Sequence, residues 1–75
     1  GYVKKETRDA FLNSLFEIID ESAITTVRYS ITDTKTEAYV YSAVYPSEEQ
    51  LKELSKKTGI SVYIIPGKEN TEKSV

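Results

Sequence analysis

The sequence predicts a small α+β domain, a two-layer sandwich with two helices on one face of a three-stranded sheet, in the order αββαβ. Two segments repeat their apolar residues at the helical period, and three segments alternate at the period of two that is typical of strands. With 75 residues, the chain is too short for a second hydrophobic core. We therefore expect a single domain over residues 1–67, followed by a flexible, polar C-terminal tail over residues 68–75.

The first helix is predicted over residues 7–21. Its apolar side chains fall on one arc of a helical projection: Phe11, Leu12, Leu15, Phe16, Ile18 and Ile19. The hydroxyl of Thr7 can accept a hydrogen bond from a free amide of the first turn, so Thr7 is the expected N-cap.

The next two segments are predicted to form an antiparallel hairpin. Residues 24–31 are rich in β-branched and aromatic side chains, and the period of two places Thr25, Val27, Tyr29 and Ile31 on one face. Polar residues 32–36 form the connection. A second β-favouring run covers residues 37–45.

The second helix has the clearest sequence signals. Ser47 and Gln50 have the spacing of a capping box, and Gly59 can adopt the left-handed conformation that ends a helix. A third strand is predicted over residues 60–65. The two helices can both bury their apolar stripes only if they lie on one face of the sheet. An alternative adds a short fourth strand from residues 2–5.

The composition restricts the chemistry that this chain can perform. It contains no cysteine and no histidine, so it has neither a thiolate nucleophile nor an imidazole base. We expect no catalytic residue, no metal site and no cofactor. The acidic residues Glu17, Asp20 and Glu21 are interpreted as the solvated end of a helix. Lys52, Lys56 and Lys57 with Arg28 are interpreted as part of a charge-balanced surface, although they could form a phosphate site.

The charge pattern bears on possible partners. Twelve acidic and ten basic residues are interspersed and give a net charge of -2. Because nucleic-acid binders usually carry a basic stripe, nucleic acid is not the partner that we expect. No apolar run approaches the length of a membrane span, so we expect no membrane contact by this segment itself. The chain has no methionine, and we expect it to be part of a larger protein.

Alternation along the strands predicts an aromatic face on the sheet. If Val40 and Val44 face the helices with Val27, Ile31, Ile60, Val62 and Ile64, the neighbouring tyrosines point to the face that no helix covers. The site residues predicted there are Tyr39, Tyr41, Tyr45, Tyr63 and Arg28. Aromatic enrichment with few charges is typical of the core of a protein interface. The other interpretation is an ordinary solvated face on which tyrosine is simply a good strand residue.

These features predict a non-enzymatic protein-interaction or assembly module. Its partner would be another protein or further copies of itself, bound through the aromatic face or an edge strand, above all residues 60–65. The alternative is single-stranded nucleic-acid binding, with the same tyrosines as stacking platforms. An enzyme is a third hypothesis, which requires an inward-facing cluster of tyrosine, lysine or carboxylate groups in a pocket.

Two resemblances bear on these hypotheses. The segment LKELSKKTGISVYII, residues 51–65, resembles the helix, TG turn and strand of KH domains, which implies RNA binding. The glycine-bearing loop that precedes this helix in that family is replaced here by Pro46, Ser47, Glu48 and Glu49, and the two acids oppose phosphate binding. The predicted order of elements is also similar to the ring-building modules of bacterial secretion and sporulation assemblies, which implies self-assembly.

Overall fold

The computed structural model describes residues 2–67 and has an α+β fold in the order αββαβ, which confirms the predicted class. The helices are α1 (Lys5–Leu15) and α2 (Glu48–Thr58), and a 3₁₀ turn covers Glu21–Ala23. The strands are β1 (Ile24–Ile31), β2 (Thr36–Ser42) and β3 (Ser61–Pro66). The two helices lie on one face of the sheet. Gly1 and the predicted flexible tail, residues 68–75, lie outside the described residues.

Strand β2 is the centre of the sheet. The strand order is β1-β2-β3, with β2 antiparallel to β1 and parallel to β3. A tight turn joins the antiparallel pair, and in it the Thr32 N–H donates to the Lys35 carbonyl at 2.9 Å. A parallel pair needs a crossover connection, which α2 supplies. Residues 2–4 belong to no strand and Lys5 starts α1, so the alternative of a fourth strand over residues 2–5 is wrong.

The hydrophobic core lies between the helices and one face of the sheet. Its buried members are Phe11, Leu15, Ile19, Ala38, Val40, Leu54, Ile60 and Val62. Burial of a large aliphatic or aromatic side chain contributes roughly 1.5–3 kcal/mol. The ring of Phe11 meets the ring of Tyr29 edge to face, with centroids 6.0 Å apart, and this contact joins α1 to β1.

The first helix is shorter than predicted. It ends at Leu15 instead of near residue 21, and Thr7 lies inside it, so Thr7 is not its N-cap. Lys4 occupies that position without a side-chain hydrogen bond. After Leu15 the chain turns, and the amides of Ile18 and Ile19 both donate to the Leu15 carbonyl. Because this turn also packs on the core, the apolar periodicity extends past the helix end.

The second strand ends at Ser42, not at Tyr45 as predicted. The buried hydroxyl of Ser42 donates to the Val44 carbonyl at 2.8 Å and accepts from the Val44 N–H at 3.0 Å. This local pairing replaces the strand hydrogen bonds and turns the chain out of the sheet. Val44 is 47% exposed and does not join the core, contrary to the prediction. Tyr45 follows the strand, so alternation no longer places it with the other tyrosines.

The start of β1 contains a bulge that the sequence did not reveal. The register shifts between Ile24 and Thr26, which leaves Thr25 without an opposite residue on β2. Ile24 and Val27 pack against the core, whereas Thr25 is exposed, so Thr25 does not share the face of Val27. Ile31, also expected to face the helices, is 37% exposed at the margin of the core.

A glycine ties the last strand to this bulge. The Gly67 N–H donates to the Ser42 carbonyl at 3.0 Å, and the Gly67 carbonyl accepts from the Thr25 hydroxyl at 2.9 Å. A Cβ at Gly67 would lie 2.8 Å from the Ser42 nitrogen, so a larger residue would displace the backbone. The chain therefore crosses the end of β2 only because position 67 has no side chain.

The second helix has the predicted caps. The Ser47 hydroxyl accepts from the Gln50 N–H at 3.1 Å, and the Gln50 side-chain oxygen accepts from the Ser47 N–H at 3.0 Å. Gly59 follows the helix with a φ of 75°, in the left-handed region. These contacts satisfy backbone groups that the helix itself leaves unpaired.

Substitution Ser47→Ala removes the acceptor of the Gln50 amide. We expect the free energy of unfolding to fall by about 1 kcal/mol, because a lost N-cap leaves that amide to water alone. Urea denaturation followed by circular dichroism measures the change. The control Lys52→Ala alters an exposed residue of the same helix and should change the free energy by less than about 0.5 kcal/mol. Equal effects of the two substitutions would contradict the capping role.

The hydroxyl of Tyr29 is buried and makes no hydrogen bond within residues 2–67. Burial raises the pKa of this phenol above its usual value, although the charge of Arg8 opposes the shift. A buried donor without a partner has lost its hydrogen bond to water, and no hydrogen bond within the protein replaces it. The hydroxyl therefore destabilises the isolated fold.

Tyr29→Phe should consequently raise the free energy of unfolding, by about 1 kcal/mol, since the ring contact with Phe11 is kept and only the unpaired hydroxyl is lost. The matched control is Tyr2→Phe, because Tyr2 is 85% exposed and its hydroxyl is hydrated in both states. Urea denaturation of both variants tests the expectation. A loss of stability in Tyr29→Phe would show that the hydroxyl is paired in solution.

Candidate functional site

The face of the sheet opposite the helices carries nine side chains in three rows, which we call the tyrosine face. The strand registers place one residue of each strand in each row. The members are Thr26, Arg28 and Ser30 on β1; Glu37, Tyr39 and Tyr41 on β2; and Ser61, Tyr63 and Ile65 on β3. Ala38, Val40 and Ser42, which alternate with the β2 members, are fully buried on the helix side.

Two tyrosines stack at the middle of this face. Tyr39 lies opposite Tyr63 in the parallel register, and their ring centroids are 5.4 Å apart with an interplanar angle of 21°. Such cross-strand aromatic pairs stabilise a sheet and hold each ring in a fixed orientation. Tyr63 remains 42% exposed. The two rings therefore form a preformed apolar surface, and their hydroxyl groups add polar atoms at its margin.

A short polar chain borders the stacked rings. Lys35 pairs with the Glu37 carboxylate at 3.1 Å, and the Tyr39 hydroxyl donates to the other Glu37 oxygen at 3.1 Å. The hydrogen bond from the Lys35 ammonium lowers the pKa of Glu37. The Glu37 carboxylate in turn raises the pKa of Lys35 and the pKa of Tyr39, because it stabilises the protonated form of each.

Sequence reasoning missed Lys35 and Glu37. The alternation that placed Tyr39 and Tyr41 on this face also places Glu37 there, so that signal was present in the sequence. Lys35 lies in the hairpin turn, where alternation gives no orientation, and only the turn geometry brings it to Glu37.

The remaining predicted site residues are Arg28 and Tyr45. Arg28 lies opposite Tyr39 across the antiparallel pair, and it forms no ion pair within the described part of the chain. Since Lys35 and Glu37 neutralise each other, Arg28 leaves the tyrosine face with one uncompensated positive charge. Tyr45 is 59% exposed in the connection between β2 and α2 and is not a member of this face.

The outer edge of β3 is largely closed to strand addition. The Val62 N–H donates to the Ser55 hydroxyl of α2 at 3.3 Å, so the backbone groups of every second residue from Val62 point away from β2. The next such positions are Ile64 and Pro66, and proline has no N–H. Within the described part of β3, only Ile64 keeps a free outward donor. Blocking the other outward positions is a common way in which natural sheets protect an edge.

The charged clusters noted in the sequence have ordinary partners. Glu17 pairs with Lys57 at 3.3 Å, and the Asp20 carboxylate accepts from the Ser22 N–H and hydroxyl. Arg28 lies on the face away from α2 and so does not join the lysines of that helix. Within residues 2–67, no cluster of three or more acidic side chains is arranged to hold a metal ion.

A groove of about 980 Å³ runs between α1 and α2. Its charged side chains are all exposed: Glu17, Glu49, Lys52, Glu53, Lys56 and Lys57. Acid–base catalysis usually depends on titratable groups that are partly withdrawn from water. The groove lacks this feature.

Comparison with protein-family models, with curated proteins and with solved structures finds no match for this chain. The resemblances to KH domains and to ring-building modules therefore stay predictions. In the part of the chain that the structure describes, neither helix has the length and apolar character needed to cross a bilayer.

Lys35→Gln tests the polar chain through its pH dependence. With Lys35 present, the lowered pKa of Glu37 stabilises the fold at pH values above the ordinary value of 4.5, and this stabilisation is lost as the pH falls through the lowered pKa. In the variant we expect the Glu37 carboxyl to titrate at higher pH and the acid loss of stability to become shallower. Carbon-detected NMR titration and urea denaturation at several pH values measure both, with Lys52→Gln as control. An unchanged Glu37 titration would contradict the pairing.

Proposed function

We propose that this domain is a non-enzymatic protein-interaction or assembly module and that the tyrosine face is its contact surface. The observation that carries the proposal is the side-by-side placement of Tyr39, Tyr41 and Tyr63 on a sheet face that neither helix of residues 2–67 covers. Tyrosine supplies a large contact area and loses little conformational entropy when it is already held by a neighbour. Two of these three rings are already fixed against each other.

The dimensions of the face limit the kind of contact. Three strands about 4.8 Å apart and six residues long span roughly 14 by 20 Å, or about 290 Å². A stable interface buries about 800 Å² on each partner. The tyrosine face alone therefore suits a short segment of another protein, or a weak contact between copies that is strengthened by neighbouring surfaces or by repetition.

Single-stranded nucleic acid is the alternative partner, and one observation favours it. The stacked pair Tyr39 and Tyr63 has two cations near it, because Arg28 lies opposite Tyr39 and Lys35 is bound to the carboxylate that accepts from the Tyr39 hydroxyl. Base-stacking surfaces often combine aromatic rings with cations. The position of Glu37 opposes this alternative. Its carboxylate, only 14% exposed, neutralises Lys35 and would lie close to any phosphate that approached the rings. We therefore prefer a protein partner.

The double variant Tyr41→Thr and Tyr63→Thr tests the proposed contact, because threonine keeps the preference for strand structure and removes the rings. Sedimentation velocity over a wide concentration range measures self-association, and selection from a displayed peptide library measures binding of short segments. We expect at least tenfold weaker association in the double variant, in line with the loss of central interface tyrosines. Tyr45→Thr, which removes an exposed tyrosine outside the sheet, should leave association unchanged.

Titration with a single-stranded oligonucleotide at low and high salt decides between the two partners. If the monomer binds the oligonucleotide in a salt-sensitive way and the double variant does not, the partner is nucleic acid and not protein. If the tyrosine face supports no self-association and binds no peptide, the proposed function is wrong.

A further inference from the structure

The outer edge of β1 is open along its second half. The Thr32 N–H bonds to the Lys35 carbonyl and therefore points toward β2. Backbone groups alternate in direction along an antiparallel strand, so those of Val27, Tyr29 and Ile31 point away from β2. None of these outward groups has a hydrogen-bond partner among residues 2–67. This edge offers three successive donor and acceptor pairs, whereas β3 offers one outward donor.

A cleft of about 300 Å³ adjoins this open edge on the helix side. Its lining residues are Tyr2, Val3, Arg8, Tyr29 and Ile31. Tyr29 and Ile31 belong both to the outward edge and to the cleft wall. An extended chain paired with the edge would therefore direct every second side chain toward the helix side, and one of them toward the cleft.

The polar groups of the cleft are donors that lack acceptors. The Tyr29 hydroxyl is buried without a partner, and Arg8 makes no side-chain hydrogen bond or ion pair within the described residues. Asp9, the neighbouring acid, is already bound to Lys5 at 2.8 Å. A guanidinium has no acceptor atom, so a carboxylate is the group that can satisfy both donors together.

We propose that the edge of β1 from Val27 to Ile31 binds an extended segment of a partner protein by strand addition, and that an acidic side chain of this segment enters the cleft. The inference rests on the proposed protein-binding role but uses a surface separate from the tyrosine face. Main-chain hydrogen bonds supply the affinity, and the contact of the carboxylate with Arg8 and the Tyr29 hydroxyl supplies the sequence preference.

Entry of the acidic side chain requires the outer wall of the cleft to move. Tyr2 and Val3 precede α1 and form no hydrogen bond within residues 2–67, and Tyr2 is 85% exposed. Displacing them breaks no hydrogen bond of the described fold. The buried hydroxyl then exchanges its unsatisfied state for a charge-assisted hydrogen bond, which favours binding.

The experiment uses the full chain and two blocked peptides of alternating threonine and valine, one with glutamate and one with glutamine at its centre. Amide exchange and chemical shifts are followed by NMR during titration. We expect new exchange protection at Val27, Tyr29 and Ile31 but not at Arg28 and Ser30, whose amides already face β2. The glutamate peptide should bind at least roughly threefold more tightly than the glutamine peptide.

Three variants separate the parts of the proposal. Arg8→Gln and Tyr29→Phe should each remove the preference for the glutamate peptide, whereas Arg28→Gln, the matched change on the opposite face, should keep it. Ile31→Pro removes one outward donor and leaves the β1–β2 hydrogen bonds in place, so it should weaken both peptides. Circular dichroism verifies that each variant is folded.

Several results would overturn the inference. These are equal binding of the two peptides, protection that does not alternate along β1, or unchanged binding in Ile31→Pro. Protection of β1 that grows with protein concentration in the absence of peptide would identify a second copy as the occupant and would also overturn it. Loss of peptide binding in the Tyr41→Thr and Tyr63→Thr variant, with binding kept in Ile31→Pro, would assign the peptide to the tyrosine face and leave the proposed function standing.

Discussion

The alternation of β2 is the constraint on which the structure depends. Among the three described strands, β2 is the one with a hydrogen-bonded neighbour on each side, so its side-chain directions fix the rows of the sheet. Ala38 and Val40 are fully buried beneath the helices, and Tyr39 and Tyr41 take the other face by necessity. A shift of one residue would expose the core residues and bury the tyrosines. The core and the candidate contact surface are therefore two results of one register.

Local signals made much of the fold predictable. The capping box at Ser47 and Gln50, the end of the helix at Gly59 and the period of two in β1 and β2 each depend on residues close together in sequence. The αββαβ order and its two layers follow from these elements, because the apolar stripes have only one common place to pack.

The errors arose where a contact overrode the local pattern. The end of β2 depends on the Ser42 hydroxyl, which binds Val44 and takes the place of the strand pairing that the sequence favours. The bulge at Thr25 is held by Gly67, 42 positions away, which no pattern in the strand itself reveals. After the end of α1, the apolar residues of the following turn keep the helical spacing, so the sequence pattern does not show where the helix ends. Periodicity reports burial, and it does not distinguish the conformations that achieve it.

The candidate site was predictable to a similar degree. Tyr39, Tyr41 and Tyr63 follow from alternation alone, and Glu37 would have followed had the same rule been applied two residues earlier. The stack of Tyr39 on Tyr63 and the neighbourhood of Arg28 needed the register between strands. That register is set by the hairpin turn and by the crossover through α2, which sequence patterns define only loosely.

The closed edge of β3 has a consequence for stoichiometry. A sheet with two open borders can be extended from both, and each added chain presents a fresh border to the next, which is the geometry of a growing fibre. Here an occupied Val62 amide and Pro66 make one border a poor acceptor of further strands. A strand that pairs with the edge of β1 is therefore not readily followed by another strand at the edge of β3. Strand pairing thus favours complexes of fixed, small size over open-ended polymers.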